Sequence, residues 1–329
     1  MKLISFLISR SGKSVIVILG VVILNFLLIR LAPGDPASIM AGEAASSDPA
    51  YVAQLRERFG LDLPLVQQLW VYVRGILQLD LGYSYRNQLP VLDLIAERLP
   101  ATLLLMGLAF VFSLLLGGLL GVLAARSRYV GRHKWLDSGI MSLALLLYAT
   151  PLFWLSLLMV ILFSVTLGWL PAFGMESVGA GLTGWGRVQD VAAHLVLPVV
   201  SLGCFFMAVY ARLTRSSMLE VMGMDFVKTA RAKGVPAGQV IRRHVLRNAS
   251  LPVVTFAGIQ LGQMAGGAVL TETVFGWPGI GRLMFDALMQ RDYQLLLGVF
   301  LVTSAMVVVF NLITDLVYVL VDPRIELEA

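Results

Sequence analysis

Residues 101–125 read ATLLLMGLAFVFSLLLGGLLGVLAA, a run of 25 positions without a charge. A helix rises about 1.5 Å per residue, so such a run is long enough for the ~30 Å hydrocarbon core of a bilayer. Working outward, five more stretches have the same character: 14–31, 138–167, 194–211, 251–270 and 296–320. The whole chain of 329 residues is 58% hydrophobic and 14% charged, against roughly 45–50% and 25% for soluble domains. That leaves too little polar surface to cover a soluble globule. Backbone polar groups in lipid must be satisfied within their own segment. The expected fold class is therefore all-α, a polytopic membrane protein of about six transmembrane helices. Pro151 predicts a kink or a re-entrant turn in the third stretch. The fourth, with Pro198 near its start, is the weakest.

Lysine and arginine set the orientation. With a cytoplasmic N-terminus, the inside segments 1–13, 126–136, 212–250 and 321–329 carry 16 of the 25 basic residues on 72 positions. The outside segments 32–100, 169–192 and 271–295 carry 8 on 118 positions. This is the asymmetry of the positive-inside rule, and it puts both termini in the cytoplasm. It also accounts for the net charge of +5 without invoking nucleic acid as a partner; membrane lipid is the expected surroundings. Lys2, Arg10 and Lys13 precede the first span as they would in a signal peptide. The apolar run continues to Leu31, however, with Arg30 and Pro33 at its far end, and it reads as an uncleaved anchor. The chain thus divides into residues 1–31 (anchor and first helix), 32–100 (an extracytoplasmic segment) and 101–329 (the membrane core, with its long loop 212–250). Helical apolar spacing at 51–59 and 65–79 predicts two short helices in the outer segment.

Enzyme chemistry finds no support, and no catalytic residues are assigned. Ser11-Gly-Lys-Ser14 imitates the end of a phosphate-binding loop, but Leu7 stands where the first glycine belongs, and the segment precedes a membrane span rather than following a strand. His133, His194 and His244 lack metal-ligand spacing, so no metal and no cofactor is expected. Cys204 is the only cysteine. Arg30 and Asp315 are the ionisable residues near span ends and read as structural anchors. A proton-coupled carrier would be expected to hold more charge near the midplane. The glycines at 258, 262 and 266, like the pair at 117 and 121, place small residues on one helix face and permit close helix packing.

The loop 212–250 is the most informative segment. Residues 225–234 read DFVKTARAKG, followed by Val235-Pro236 and a second helical run to Ser250 that ends at Leu251-Pro252. Gly234 suits a left-handed helix end and Pro236 the first turn of the next helix. An apolar strip of Phe226, Val227 and Ala230 fits docking in a groove on a cytosolic partner. It fits equally an amphipathic loop resting on lipid headgroups.

This segment resembles the coupling loop of bacterial ABC importer permeases, written Glu-Ala-Ala, three residues, Gly. Lys228-Thr229-Ala230 occupies the first three positions, so only Ala230 and Gly234 match the general pattern. Ala-Arg-Ala-Lys-Gly from Ala230 to Gly234, then His244 and Arg247-Asn248, is similar to the dipeptide/oligopeptide/nickel branch. Further matches to that branch are Arg30-Leu-Ala-Pro-Gly-Asp35-Pro36, Asp80-Leu-Gly82 with Ser84, and Pro90-Val91 with Arg98-Leu-Pro100. Others are Glu272-Thr-Val-Phe275, Pro278-Gly-Ile-Gly281, Arg291-Asp-Tyr293, Asn311 with Asp315, and Asp322-Pro-Arg-Ile325. Position 294 is Gln where the branch often has Pro. The early first span is similar to the first permease of the pair in such systems.

The resemblance implies a permease of the bacterial inner membrane that carries peptides or similar small solutes. It implies four kinds of partner contact: a second homologous permease, two cytosolic ATP-binding subunits that hydrolyse ATP, an extracytoplasmic solute-binding protein, and lipid. ATPase coupling would rest on Asp225, Ala230, Arg231, Ala232, Lys233 and Gly234. The fifth span would line the translocation pathway through Gly258, Gln260, Gly262, Gln263 and Gly266. The competing class is a secondary carrier or channel that works without ATP.

Overall fold

The computed structural model describes residues 2–31, 37, 38, 41, 48–58, 60–84, 86–131 and 133–321. Helix α1 (Lys2–Leu31) is followed by α2 (Pro49–Arg58) and α3 (Leu65–Leu77). A small antiparallel hairpin comes next, β1 (Tyr83–Ser84) and β2 (Leu89–Pro90), with Tyr83 opposite Pro90 and Ser84 opposite Leu89. Then come α4 (Val91–Val130), α5 (Lys134–Ala149) and α6 (Leu152–Met159), the last extended by a π-helical stretch, Val160–Thr166. Helix α7 (Gly184–Met222) leads into the short α8 (Asp225–Ala232). The single turn α9 (Ala237–Val240) passes through a π-helical stretch, Ile241–Val245, into α10 (Leu246–Phe275). Helices α11 (Ile280–Met289) and α12 (Tyr293–Val321) complete the described chain.

Each expected span falls on a helix, and the break expected at Pro151 is present. The third is two helices, α5 and α6, bent by 104°. Thr150 and Pro151 between them are both extended (ψ 127° and 132°), the conformation proline imposes on its predecessor and favours for itself. The Thr150 hydroxyl donates to the Leu146 carbonyl at 2.7 Å, satisfying an acceptor at the broken end. The fourth span, weakest by hydropathy, is more enclosed than the second and the sixth. Its apolar window is 61% buried, against 28% for those of α4 and α12. Its small and polar residues face protein, where packing replaces apolarity. The predicted stop at Leu251-Pro252 is also corrected, since the helix runs on through Pro252 to Phe275. Buried Ala249, Val253 and Ala257 lie on one face on both sides of the proline, and their burial outweighs the interior-proline cost of about 3 kcal/mol. The two outer helices expected at 51–59 and 65–79 are α2 and α3.

The chain forms two compact units, one of Met1–Leu103, Pro278–Leu312 and Leu327–Ala329, the other of Leu104–Trp277 and Ile313–Glu326. In the first, Asn25 of α1 donates to the Leu297 carbonyl at 3.3 Å, and Val22, Asn25 and Phe26 are its buried face. Val91, Leu94 and Ile95 pack with Leu283, Leu295 and Val299. The Thr102 hydroxyl accepts the Ile280 N–H at 2.8 Å and so caps α11.

In the second unit α4 and α7 cross closely. A Cβ on Gly117 would lie 2.6 Å from the Met207 carbonyl oxygen, and one on Gly121 would lie 2.7 Å from that of Ala211. Near the cytoplasmic end, Arg215 of α7 holds Asp137 of α5 with two parallel bonds, Nε to Oδ1 at 2.5 Å and Nη2 to Oδ2 at 2.7 Å.

Candidate functional site

Asp225 opens α8 and places a carboxylate at the positive end of the helix, where Lys228 Nζ donates to its Oδ1 at 2.8 Å. The other end is closed by hydrogen bonds from the Gly234 N–H to the Arg231 carbonyl (2.8 Å) and from the Val235 N–H to the Ala230 carbonyl (3.2 Å). This is the Schellman arrangement. It requires a left-handed residue, and Gly234 supplies it with φ +78°. Val235 then packs against the cluster that contains Ala230, the apolar contact that accompanies the motif. Pro236 sits at the N-cap of α9, one position before the expected first turn.

The apolar strip of α8 divides between two faces. Val227 (1% exposed) and Ala230 (9%) point into the chain and join Met218, Val221, Val240 and Val245, whereas Phe226 stays 42% exposed. Ala125 near the end of α4 belongs to the same cluster. Arg231 adds a second tie, its guanidinium carbon 4.2 Å from the centre of the Tyr129 ring, a cation–π contact. Burying one valine this way stabilises by about 1.5–3 kcal/mol, a large share for an eight-residue helix that cannot stand alone. Among the residues expected to couple to an ATPase, Ala230 is therefore an inward packing residue. Asp225, Arg231, Ala232, Lys233 and Gly234 are exposed. Tyr129 and the inward role of Val227 were not foreseen. An apolar strip on so short a helix does not say whether its own chain or a partner will cover it. The motif residues His244 and Asn248 meet where α9 becomes α10, with Asn248 Nδ2 donating to the His244 carbonyl at 2.7 Å.

Residues of the fifth span separate by depth of burial. The Gly258 carbonyl accepts the Thr314 hydroxyl at 2.9 Å, and a Cβ on Gly258 would run into the Thr314 side chain. Gly258 is thus a packing position against α12. Gln260 is 0% exposed, and its amide oxygen and nitrogen have no hydrogen-bond partner among the described residues. Gly262 is partly buried and Gln263 exposed, the latter one turn from Ile259, which is 50% exposed. The surroundings of Gly266 lie outside the described residues, as do the side chain of Arg30 and the motif residues at 32–36 and 322–325. Asp315 is partly buried.

On the outer side, the sequence motifs meet in a latch. Asp292 caps α12 by accepting the Leu295 N–H at 3.1 Å, and it also accepts the Ser84 hydroxyl. Gln294 donates to the Leu81 carbonyl at 2.7 Å. Elsewhere, Arg187 donates twice to Glu176 Oε1, at 2.6 and 3.1 Å. The Arg187 hydrogen bond holds the Glu176 carboxyl below its ordinary value. Among the described residues no group of three or more His, Cys, Asp or Glu is placed to hold a metal.

These features, a bundle of apolar helices with a short capped helix seated on the basic side, define a transport subunit. Residues 3–106 match the N-terminal part of binding-protein-dependent transport system membrane components, and residues 117–327 match the binding-protein-dependent transport system inner membrane component family. The chain belongs to that family, the membrane-spanning permeases of ABC importers, in which ATP hydrolysis lies in partner subunits. It is 41% identical over 341 residues to the dipeptide transport system permease protein DppB of Escherichia coli (strain K12), covering 98% of this chain and 99% of the relative. A putative peptide transport system permease protein of Brucella abortus (strain 2308) is 42% identical over 322 residues, with the same coverage. The di/tripeptide transport system permease protein DppB of Pseudomonas aeruginosa (strain UCBPP-PA14) is 41% identical over 338 residues, again covering 98% and 99%. In fold the chain is similar to the inward-facing MetNI methionine ABC transporter, with a TM-score of 0.57 at 19% identity, over 70% of this chain and 96% of that one.

Proposed function

We propose that this permease carries di- and oligopeptides across the bacterial inner membrane, paired with a second homologous permease, driven by two cytosolic ATP-binding subunits and supplied by an extracytoplasmic solute-binding protein. The observation that carries the reading is the two-sided α8. Its inner face is locked into the cytoplasmic ends of α4, α7 and α10 through Val227, Ala230 and Arg231, while its outer face offers Phe226, Thr229 and Lys233 to a partner. A push on α8 from an ATPase that closes on nucleotide then acts on three membrane helices at once. A partner shifts the balance between inward and outward states only by its differential affinity for them, and the outer face of α8 is where that difference is applied. Along the pathway, Gln263 is an exposed polar residue of α10 placed to meet a solute. Peptide as the cargo is supported by the relatives, named for dipeptide, di/tripeptide and peptide transport.

Affinity purification of the chain from its native membrane in mild detergent, with mass spectrometry of what accompanies it, tests the reading. A second permease and P-loop ATPases are expected, with the ATPases lost in Phe226→Asp. Recovery of the chain alone, still competent for uptake into liposomes without ATP, would replace the importer by a carrier.

A further inference from the structure

The outer segment contains a surface that transport does not explain. Helix α3 buries Gln68 (7% exposed) on one side, where its amide donates to the carbonyls of Leu61 (2.8 Å) and Leu63 (2.7 Å). On the opposite side Val66 (80%), Trp70 (64%) and Leu77 (75%) stand exposed. Spacings of four and seven residues put these three on a single stripe with Val73. Among the described residues of its own unit nothing covers Val66, Trp70 or Leu77.

Its depth follows from its packing on α1 and from the cavity it shares with α12. Tyr72 on the buried side packs on Phe26, with ring centres 6.0 Å apart. Phe26 lies five residues before the end of α1 at Leu31, roughly 8 Å inside the outer end of a helix that rises 1.5 Å per residue. A cavity of about 170 Å³ lies between α3 and α12, lined by Tyr72 and Ile76 and by Leu297 and Leu301, with Arg58, Arg74 and Asp80 at its polar side. Leu301 is eight residues beyond the start of α12 at Tyr293, roughly 12 Å along it. The helix therefore lies beside the outer turns of α1 and α12. Its stripe continues the exposed apolar surface of α1, on which Leu24, Leu27, Leu28 and Leu31 are each at least 45% exposed.

We propose that α3 is an interfacial helix lying in the outer leaflet of the membrane, with Val66, Trp70, Val73 and Leu77 among the acyl chains. A tryptophan in mid-stripe suits the headgroup boundary, where its ring is buried and its N–H stays wet. Arg74 and Gln67 flank the stripe on the same edge, both exposed, with Arg74 also bordering the cavity that Arg58 and Asp80 line. That edge is placed for lipid phosphates, as in amphipathic helices that float at the interface. The consequence is positional, because the outer cap is held at a fixed height on the bilayer through a helix that spans nothing.

The test uses single spin labels in nanodiscs of phosphatidylethanolamine and phosphatidylglycerol, on the full chain carrying Cys204→Ser, alone and with its co-purified subunits bound. Labels replace Val66, Trp70 or Leu77 on the stripe and Gln67 or Arg74 on the edge. The stripe labels are expected to collide with oxygen several-fold more than with a water-soluble nickel complex, and the edge labels the reverse, in both preparations. Stripe labels as open to nickel as the edge labels would place the helix in water. Labels shielded from both reagents once the other subunits bind would assign the stripe to a protein partner. Either result overturns the proposal, and neither bears on whether the chain couples to an ATPase.

Discussion

Arg215→Ala probes the packing at the cytoplasmic end of α5 and α7. The Asp137 side chain is 5% exposed, and Arg215 covers it with two bonds while remaining 25% exposed itself. Removing the guanidinium leaves a carboxylate enclosed by protein with both oxygens stripped of a charged donor. Breaking a buried pair from one side costs about 3–5 kcal/mol. Water can follow a quarter-exposed arginine into the space it leaves, so the lower end, about 3 kcal/mol, is expected. At about 1.4 kcal/mol per factor of ten, that is more than a hundredfold in the unfolding equilibrium. The paired replacement Arg215→Leu with Asp137→Leu removes both charges and should recover most of the loss, since apolar pairs of similar volume commonly match a buried ion pair. Arg215→Lys should fall between, because an ammonium cannot reproduce the two-pronged contact. The assay is denaturant titration of the purified chain in mixed micelles, read by tryptophan fluorescence and helicity together. A single variant as stable as the parent, or a double variant no better than the single, would refute the reasoning.

Three further perturbations have expected outcomes. Gly121→Val drives a side chain onto Ala211 and Thr214 and should lower stability by about 1–3 kcal/mol in the same titration, whereas Gly118→Ala, with open space around it, should be neutral. Gly234→Ala meets no atom within 4 Å, so only the left-handed backbone cost of about 1–2 kcal/mol remains and uptake should persist. Gly234→Pro cannot adopt that backbone and cannot donate to Arg231, and uptake should be lost while membrane insertion is retained. The ion pair at Glu176, whose carboxyl is lowered by Arg187, contributes above the ordinary carboxylate range and is lost as pH falls through the lowered value. Acid should therefore speed proteolysis of the loop before α7, and Glu176→Gln should weaken that pH dependence, the rest coming from Asp190, whose carboxyl is lowered by the hydrogen bonds it accepts from Ser177.

Much of this was legible in the sequence because the bilayer imposes length and polarity on each span. The uncharged run at 101–125 announces α4, and Gly234 with Pro236 announces the break after α8, since few residues tolerate those backbone conformations. Hydropathy ranks α7 lowest because it measures partition into lipid, and 61% of its apolar window is buried against protein instead. Pro252 misled for a related reason: local propensity marks a stop, and the buried face through Ala249, Val253 and Ala257 overrides it. The latch of Ser84 and Asp292 joins residues 208 positions apart, a pairing that no local signal carries. Gln260 and Gln263 look alike in the sequence, and only packing reveals that one is enclosed and the other open.

The central claim is that force from ATP reaches the membrane helices through the outer face of α8. Uptake of a labelled dipeptide into proteoliposomes holding the complete importer and its solute-binding protein, with and without ATP on the ATPase side, measures it most directly. ATP-dependent uptake is expected in the parent, and its loss in Phe226→Asp, with the chain still inserted and stable. Uptake at parental rate by that variant, or uptake that persists without ATP, would contradict the account.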